Sequence, residues 1–493
     1  MSYIIGIDIG TTNTKGVAFT DKGEVLATAG ESYHALSDPD GRHELDPVQL
    51  LDAFVSTLKE VTRKMDDGKG LTGIGFSCAM HSLIAVDKQG LPLTNAITWA
   101  DLRSQSYAEA LKASEAGRRI YRQTGTPLHP MSPLSKLLWL KDKEPAIFQQ
   151  AEKFISIKEY IWWQLFGKYQ VDHSIASATG LFDIYAFAWY PESLQLAGIG
   201  ERHLSVPVPC THIESDLIPD YSLILGLPEG TPFVIGGSDG CLANLGSRAL
   251  RPGETTLTIG TSGAVRMTTT APALDPRERL FNYILTDKLY ISGGATNNGG
   301  GVVQWYMEQF LGKKGADPKV LSDLVAEADT APPGCEGLVF LPYLQGERAP
   351  IWNADAKGVF FGIRSSHEQR HFMRAVLEGI SYSLYQVGAS LEETIGPIQH
   401  IYASGGFTHS KAWLQLVADV FLKKVYVINQ ADASAIGAAI MGFYALGIIG
   451  DLQASAGMVR IGDAYEPDEQ RHLVYQQNFA VFTSLYDRLK DLM

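Results

Sequence analysis

Residues 3–19 read YIIGIDIGTTNTKGVAF. An apolar run carrying one acid, Asp8, breaks at Gly10 into a turn of small hydroxyl and amide residues, passes Lys15 and resumes as a second apolar run. The arrangement returns at residues 255–269, TTLTIGTSGAVRMTT, again strand, Gly-Thr-Ser-Gly turn, strand. A loose pattern of this kind, opening two halves of one chain, predicts two related domains. At 493 residues the chain is also too long for a single core. The stretch GSRALRPGE near residues 246–253 reads as the connection, dividing the chain into 1–247 and 248–493.

Strand-like and helix-like segments alternate throughout, which predicts an α/β fold. YIIGIDIG, TKGVAFT and EVLATAG read as a meander turning at Asp21-Lys22-Gly23. DPVQLLDAFVSTLKEVTRKM reads as a helix capped by Asp46 with Pro47 in its first turn. GIGFSCAM is a further strand, and LIAVDKQGLPLTNAITW a hairpin around Lys88-Gln89-Gly90. LYISGGATNNGG and HIYASGGFTHS are apolar runs ending in glycines, each followed by a helical pattern.

A net charge of -13 argues against nucleic acid as a partner. Residues 433–450, ASAIGAAIMGFYALGIIG, are uncharged over a length that could span a bilayer. They are rich in Ala and Gly and only weakly apolar, which predicts a buried helix and no membrane partner. The start of the chain has no basic region ahead of an apolar one, so no signal peptide is read there. Four cysteines lie far apart, without a CxxC, as expected of a reducing cytoplasm and not of a disulfide framework or zinc site.

The polar turns carry the first chemistry. Backbone N–H groups and hydroxyls converging in a tight Gly/Thr/Ser turn suit a phosphate. Lys15 would add positive charge, and Asp8 at a strand end would hold a hydrated Mg²⁺. A single such turn is equally an ordinary hairpin; the recurrence favours the phosphate reading. The chain contains no Walker A loop and no GxGxxG after its first strand. In TPFVIGGSDGCLANLG, Asp239 stands at a strand-to-helix junction between glycines, either as a working acid or as a plain helix cap. Met80 and His81 follow a strand. Trp99, Asp101 and Arg103 cluster in ITWADLRS, to hydrogen-bond a polyol or to form a surface salt bridge. SGGFTHS would receive a flat ring or phosphates, or be a plain joint. FLPYLQGERAP gives no site chemistry from residue types alone.

Taken in order, GIDIGTTNTKGV, MHS, WADLRS, DHSIASATGLFD, GGSDG, IGTSG, PYLQGERAPIWNADAKGVFFG, SGGFTHS and ASAIGAA resemble the FGGY carbohydrate kinases over residues 3–450. The resemblance implies two actin-like (ribonuclease H-like) ATPase domains, each with a mixed five-stranded sheet, closing over a deep cleft. Acceptor would bind mainly to the N-terminal domain, 1–247, and ATP mainly to the C-terminal one, 248–493. Carried onto this sequence, Thr11, Thr12, Asn13 and Lys15 would face the transferring phosphate. Family members often have Arg where Lys15 stands; Lys keeps the charge and loses the bidentate fork. Gly260 and Thr261 would form the second phosphate turn with Gly300 and Gln304 beside it, and Gly406 and Ser410 would lie near the adenosine. Asp239 matches the catalytic base, and Asp8 would contact Mg²⁺ through water. Met80, His81, Trp99, Asp101 and Arg103 would bind substrate.

Glycerol kinases carry Arg-Glu where this chain has Met80-His81, a pair that resembles xylulose and gluconate kinases. AMHSLIAVD, NAITWADLRS and TGTPLHPMSPLSKLLWLK look more like the gluconate branch. The expectation is therefore an ATP- and Mg²⁺-dependent kinase of a sugar or sugar acid, gluconate ahead of xylulose or another FGGY pentulose or polyol. A carboxylate on the substrate would call for a cation among His81, Arg103, His129, Lys136 and Lys158, and the sequence does not rank them. The competing classes are a chaperone-type or other actin-like ATPase and a regulator that kept the fold without catalysis. Homodimerisation stays open.

Overall fold

The computed structural model describes residues 2–66, 68–314, 318–429 and 432–493. The first sheet is built from β1 (Tyr3–Ile9), β2 (Asn13–Phe19), β3 (Val25–Ser32), β4 (Leu71–Cys78), β5 (Ile213–Glu214) and β6 (Phe233–Ser238), in the order β5-β6-β4-β1-β2-β3. The second comprises β7 (Glu254–Ile259), β8 (Gly263–Thr269), β9 (Phe281–Ile284), β10 (Tyr290–Thr296), β11 (His400–Ser404), β12 (Lys424–Ile428) and β13 (Ile461–Tyr465), in the order β9-β10-β8-β7-β11-β12-β13. Five strands of each sheet share one topology. β1 pairs antiparallel with β2 and β2 with β3, while β4 lies parallel to β1 and β6 to β4. β7, β8, β10, β11 and β12 repeat these relations in the same order. The echo between the two polar turns is thus the echo of a duplicated architecture, the two-domain actin-like fold.

The helices that position the site are α1 (Pro47–Lys64), α2 (Pro133–Lys143), α3 (Ile157–Phe166), α4 (His173–Ser177), α5 (Asp239–Gly246), α6 (Gly300–Trp305), α7 (Gln369–Thr394), α8 (Lys411–Phe421) and α9 (Ala433–Ala445). Alternation along β1 sorts its side chains. Ile5, Ile7 and Ile9 enter the core shared with α1, whereas Ile4 packs in the core shared with α9. Gly6 and Asp8 share the parity of Ile4 and turn to the α9 face. There the backbones approach so closely that a Cβ on Gly6 would meet the Ala435 carbonyl oxygen at 1.9 Å, and one on Gly75 the Ala438 oxygen at 2.2 Å. This explains the Ala/Gly composition of residues 433–445: α9 is buried, and among the described residues no helix is long and apolar enough to cross a membrane. All strands of the first sheet precede residue 239 and all of the second follow residue 253, yet α9, which follows β12, returns to cover the first sheet.

Asp46 caps α1 as read, its carboxylate accepting from the Val48 N–H at 2.9 Å. Gly293 and Gly294 do not end a strand; they lie inside β10. A Cβ on Gly293 would strike the Val265 carbonyl oxygen at 2.3 Å, and one on Gly294 the Ala349 Cβ at 2.4 Å. Close approach, not a turn, explains that pair.

Candidate active site

The parallel strands β1, β4 and β6 end side by side and deliver Asp8, the Met80–His81 loop and Asp239 to one place. Strand β6 is bulged between Val234 and Gly237, with Gly236 at φ +66°, which re-aims its last residues. Two devices then fix the junction. Lys158, on α3, donates to the Ile235 and Gly237 carbonyls at 3.0 and 2.7 Å and pairs with Asp172 at 2.7 Å. Ser174, on α4, holds the Ser238 N–H at 3.1 Å and the Ser238 hydroxyl at 2.9 Å. The Ser238 hydroxyl caps α5, accepting from Cys241 N–H, so Asp239 is released from the capping role that the sequence left open. Among the described residues its carboxylate accepts only from the adjacent Gly240 N–H, at 2.6 Å. Burial raises its pKa above the ordinary carboxylate value, and the Arg266 guanidinium partly opposes that rise.

Asp239 opens onto a cavity of about 290 Å³ between the two sheets. Thr11, Met80, His81 and Trp99 line it from the first half, and Gly260, Ala264, Arg266, Tyr283 and Arg348 from the second. The wall is therefore shared and does not belong mainly to the N-terminal half. His81, at φ +70°, has its Nδ1 2.8 Å from the Ala178 carbonyl, so that nitrogen carries the proton. Its Nε2 then accepts from the Tyr283 hydroxyl at 3.3 Å. Burial, aided by the Lys136 ammonium, pushes the imidazole pKa down to about 3. His81 is a neutral hydrogen-bonding group and not a cation for a carboxylate.

The other basic candidates are engaged away from the cavity wall. Lys136 Nζ donates to the His81 and Ile97 carbonyls at 2.5 and 3.2 Å, bracing the His81 loop. Lys158 is used as described above. His129 accepts from the Met131 N–H and lies edge-on to Trp352. Asp101 and Arg103 do not reach the cavity: Arg103 binds Asp101 and Glu44 at 2.8 and 2.5 Å and lies 4.4 Å above the Trp139 ring. Asp101 also accepts from the His43 N–H at 2.9 Å. This cluster anchors the loop whose Trp99 does face the cavity.

A second cavity, of about 370 Å³, is lined by Gly260, Thr261, Gly300, Gln304, Gly406 and Ser410, with Val303, Val325 and Trp413 among its apolar walls. The six residues read from the sequence as nucleotide contacts thus share one pocket. The Gly260 and Thr261 carbonyls accept from Gly300 and Gly301 N–H at 2.7 and 3.0 Å, stitching the turn to the start of α6. Gly260 lines both cavities, so they meet at the second polar turn.

At the first turn Thr11 reaches the cavity, while Thr12 and Asn13 are exposed beside it. Lys15 lies opposite Asp8 in the β1–β2 ladder, but its ammonium pairs with Asp432, just ahead of α9, and lines neither cavity. Asp8 accepts from the Ser77 hydroxyl at 2.6 Å; its pKa is pushed up to about 7, first by burial and then by the charge of Asp239, with Asp432 adding to it. Such an acidic corner is relieved by a dication. Among the described residues no group of three His, Cys, Asp or Glu side chains could hold a metal; Asp8 could hold a hydrated dication only through water.

Two charged cavity residues, Arg266 and Arg348, are not among the candidates read from the sequence. The signal for Arg266 is a lone charge inside the apolar run GAVRMTT, the same kind of anomaly as Asp8 in β1. Arg348 stood in the QGERAP string, whose residue types gave no chemistry. There Glu347 is fully buried, accepting from the Asn297 and Arg348 N–H groups at 2.5 and 2.9 Å, and the Arg348 guanidinium lies 4.5 Å over the Trp99 ring.

Residues 3–246 match the family model described as the FGGY family of carbohydrate kinases, N-terminal domain, and residues 255–446 match the C-terminal domain of that family. A gluconokinase of Bacillus subtilis (strain 168) is 41% identical over 492 residues, covering 98% of this chain and 95% of the relative. The crystal structure of a gluconate kinase from Lactobacillus acidophilus superposes with a TM-score of 0.94 at 35% identity, over 99% of this chain and 98% of that one. A ligand-bound xylulose kinase from Lactobacillus acidophilus gives 0.95 at 35% identity, over 99% of each chain.

Proposed function

Because the chain belongs to the FGGY family of carbohydrate kinases, we propose that it transfers the γ-phosphoryl group of ATP to the 6-hydroxyl of D-gluconate, giving 6-phosphogluconate and ADP. The observation that carries the reading is the meeting of the two cavities at Gly260, with Asp239 facing the cavity that lacks the glycine-walled nucleotide lining. The choice of acceptor is supported by the 41% identity to a gluconokinase over nearly the whole chain. Xylulose is the second reading, favoured by the likeness to the structure named as a xylulose kinase. The unit 1–247 then supplies the base and the Met80–His81–Trp99 wall, and the unit 248–493 the nucleotide pocket and the rest of the acceptor wall. We place the enzyme in the cytoplasm, in keeping with four free, buried cysteines.

In this mechanism the adenosine lies by Gly406 and Ser410, and the phosphates run past Gly300 and Gln304 to the Gly260–Thr261 turn. Thr11, Thr12 and Asn13 face the γ-phosphate from the other side. Asp239 accepts the proton of the substrate hydroxyl as its oxygen bonds to phosphorus and the bond to the β-phosphate oxygen breaks. Mg²⁺, held by Asp8 through water, would supply charge neutralisation on the phosphates. The Lys15–Asp432 pair ties the first turn to the start of α9, placing Lys15 as a positioning residue for that turn. With its proton given to His81 Nε2, the Tyr283 hydroxyl oxygen offers an acceptor to a substrate hydroxyl.

Measuring ADP release with gluconate, xylulose, ribulose, glycerol and fuculose side by side tests the reading. Gluconate should give the highest kcat/KM, and ATP turnover without acceptor should be far lower. Acceptor-independent turnover of equal rate would sink the kinase reading, and a preference for xylulose would transfer it to the second acceptor. The nucleotide pocket has a separate check. No atom lies within 4 Å of a Cβ built on Gly406, and its backbone is not left-handed. Gly406→Val should therefore fold with an unchanged melting midpoint while raising the KM for ATP at least about tenfold, by occupying a wall that closely contacts the ligand. An unaltered KM would place the adenosine elsewhere.

A further inference from the structure

We propose that Arg266, with Arg348 beside it, binds the carboxylate of the acceptor and thereby selects a sugar acid over a neutral sugar. The inference rests on the gluconate reading above and names the residues that would enforce it. Its ground is an imbalance of charge in the acceptor cavity. The other partly or fully buried arginines with ion pairs are matched within the fold: Arg103 to Asp101 and Glu44, Arg279 to Asp275, Arg374 to Glu378. Arg266 and Arg348 line the cavity and, among the described residues, neither has a carboxylate at ion-pair distance. Arg348 is 8% exposed and spends one Nη on the Thr296 carbonyl at 2.9 Å. The Nε–H groups of both side chains are buried without an acceptor.

Two guanidiniums that line a cavity without a carboxylate partner favour an anion there, and a charge-assisted pair with a guanidinium is strong. A carboxylate matches that fork, whereas a hydroxymethyl group at the same place leaves the donors short. Arg266 shares the face of β8 with Ala264, three residues and about 10 Å along the strand from Gly263 at the polar turn. Its guanidinium crosses to α5, where a Cβ on Gly240 would stand 3.2 Å from Nε and Nη2. It makes no ion pair with the Asp239 carboxylate, which accepts from the Gly240 N–H.

Arg266 also opposes the rise in the pKa of Asp239, so the test must separate binding of the substrate carboxylate from an effect on the base. D-glucitol has the carbon skeleton of gluconate with a neutral end. It is measured as acceptor or, where turnover is too slow, as a competitive inhibitor against gluconate. Arg266→Gln should raise the KM for gluconate about 10–100-fold, the loss of a charge-assisted bidentate contact, while the constant for D-glucitol moves less than about threefold. Arg266→Lys should fall between, keeping charge without the fork. Equal losses for both ligands would assign Arg266 to the base or the phosphate and overturn the inference. Should Arg266→Gln not fold, Arg266→Lys carries the same comparison: an unchanged gluconate-to-glucitol preference overturns the inference and a narrowed one supports it. If the wild type prefers another sugar acid and Arg266→Gln loses that preference, the gluconate reading falls while the inference stands.

Discussion

Replacing Asp239 by asparagine should leave a folded, ATP-binding protein whose kcat is lower by about 10²–10⁴-fold, the usual worth of a general base. Asparagine keeps the size of the side chain and an oxygen for the Gly240 N–H, so the α5 terminus, capped by Ser238 and not by Asp239, has no reason to fray. What is lost is the ability to take a proton as the acceptor oxygen bonds to phosphorus. The same assignment fixes the sign of a pH effect. Burial raises the pKa of Asp239 above that of a free aspartate, so its basic form is lost as pH falls, starting above the ordinary carboxylate range. The acid limb of kcat/KM for the wild type should accordingly lie above the ordinary carboxylate range, and it should vanish from the residual activity of Asp239→Asn. Near-normal turnover by the purified variant, with ATP binding verified by calorimetry, would mean that another group takes the proton.

The parts of the site that could be read from the chain are those whose signal is local. A strand that ends in Gly-Gly-Ser-Asp-Gly announces a junction, and Asp239 stands on one. Gly260, Thr261, Gly300, Gln304, Gly406 and Ser410 come from the ordered resemblance, with glycine-rich turns after apolar runs as its local mark, and they line one pocket. The duplicated strand–turn–strand likewise located both polar turns. What escaped was whatever depends on partners distant in sequence. Lys15 read as a counter-charge for phosphate because Asp432, which holds it, arrives only through the packing of α9 on the first sheet. Asp101 and Arg103 read as substrate contacts because nothing in ITWADLRS reveals that Glu44 and Trp139 claim the guanidinium. Arg266 was passed over although it carries the anomaly that made Asp8 conspicuous, a charge on an otherwise apolar strand. Alternation from Ala264 would have put it on the cavity face.

Gly437→Ala should destabilise the protein, against the ordinary trend for helices. In the interior of an exposed helix this change adds about 1 kcal/mol of stability by removing backbone freedom from the unfolded chain. Here a Cβ on Gly437 would stand 1.9 Å from the Leu242 carbonyl oxygen and 2.6 Å from its carbon. Those are backbone atoms of α5, which cannot turn aside as a side chain does, so α9 and α5 must separate. Overpacking of this kind costs about 1–3 kcal/mol, enough to reverse the propensity gain. The displacement is transmitted directly to the chemistry, because Asp239 is the first residue of α5 and its carbonyl accepts from the Ser434 hydroxyl of α9 at 3.3 Å. The variant should therefore lose kcat as well as melting midpoint. Gly442→Ala is the control on the same helix: its Cβ would meet only the Ile4 side chain, at 3.3 Å, and a side chain can shift by the few tenths of an ångström required. That variant should melt within a degree or two of the wild type and retain its turnover. If Gly437→Ala is as stable and as active as Gly442→Ala, the close contact between α9 and α5 does not set the position of the base.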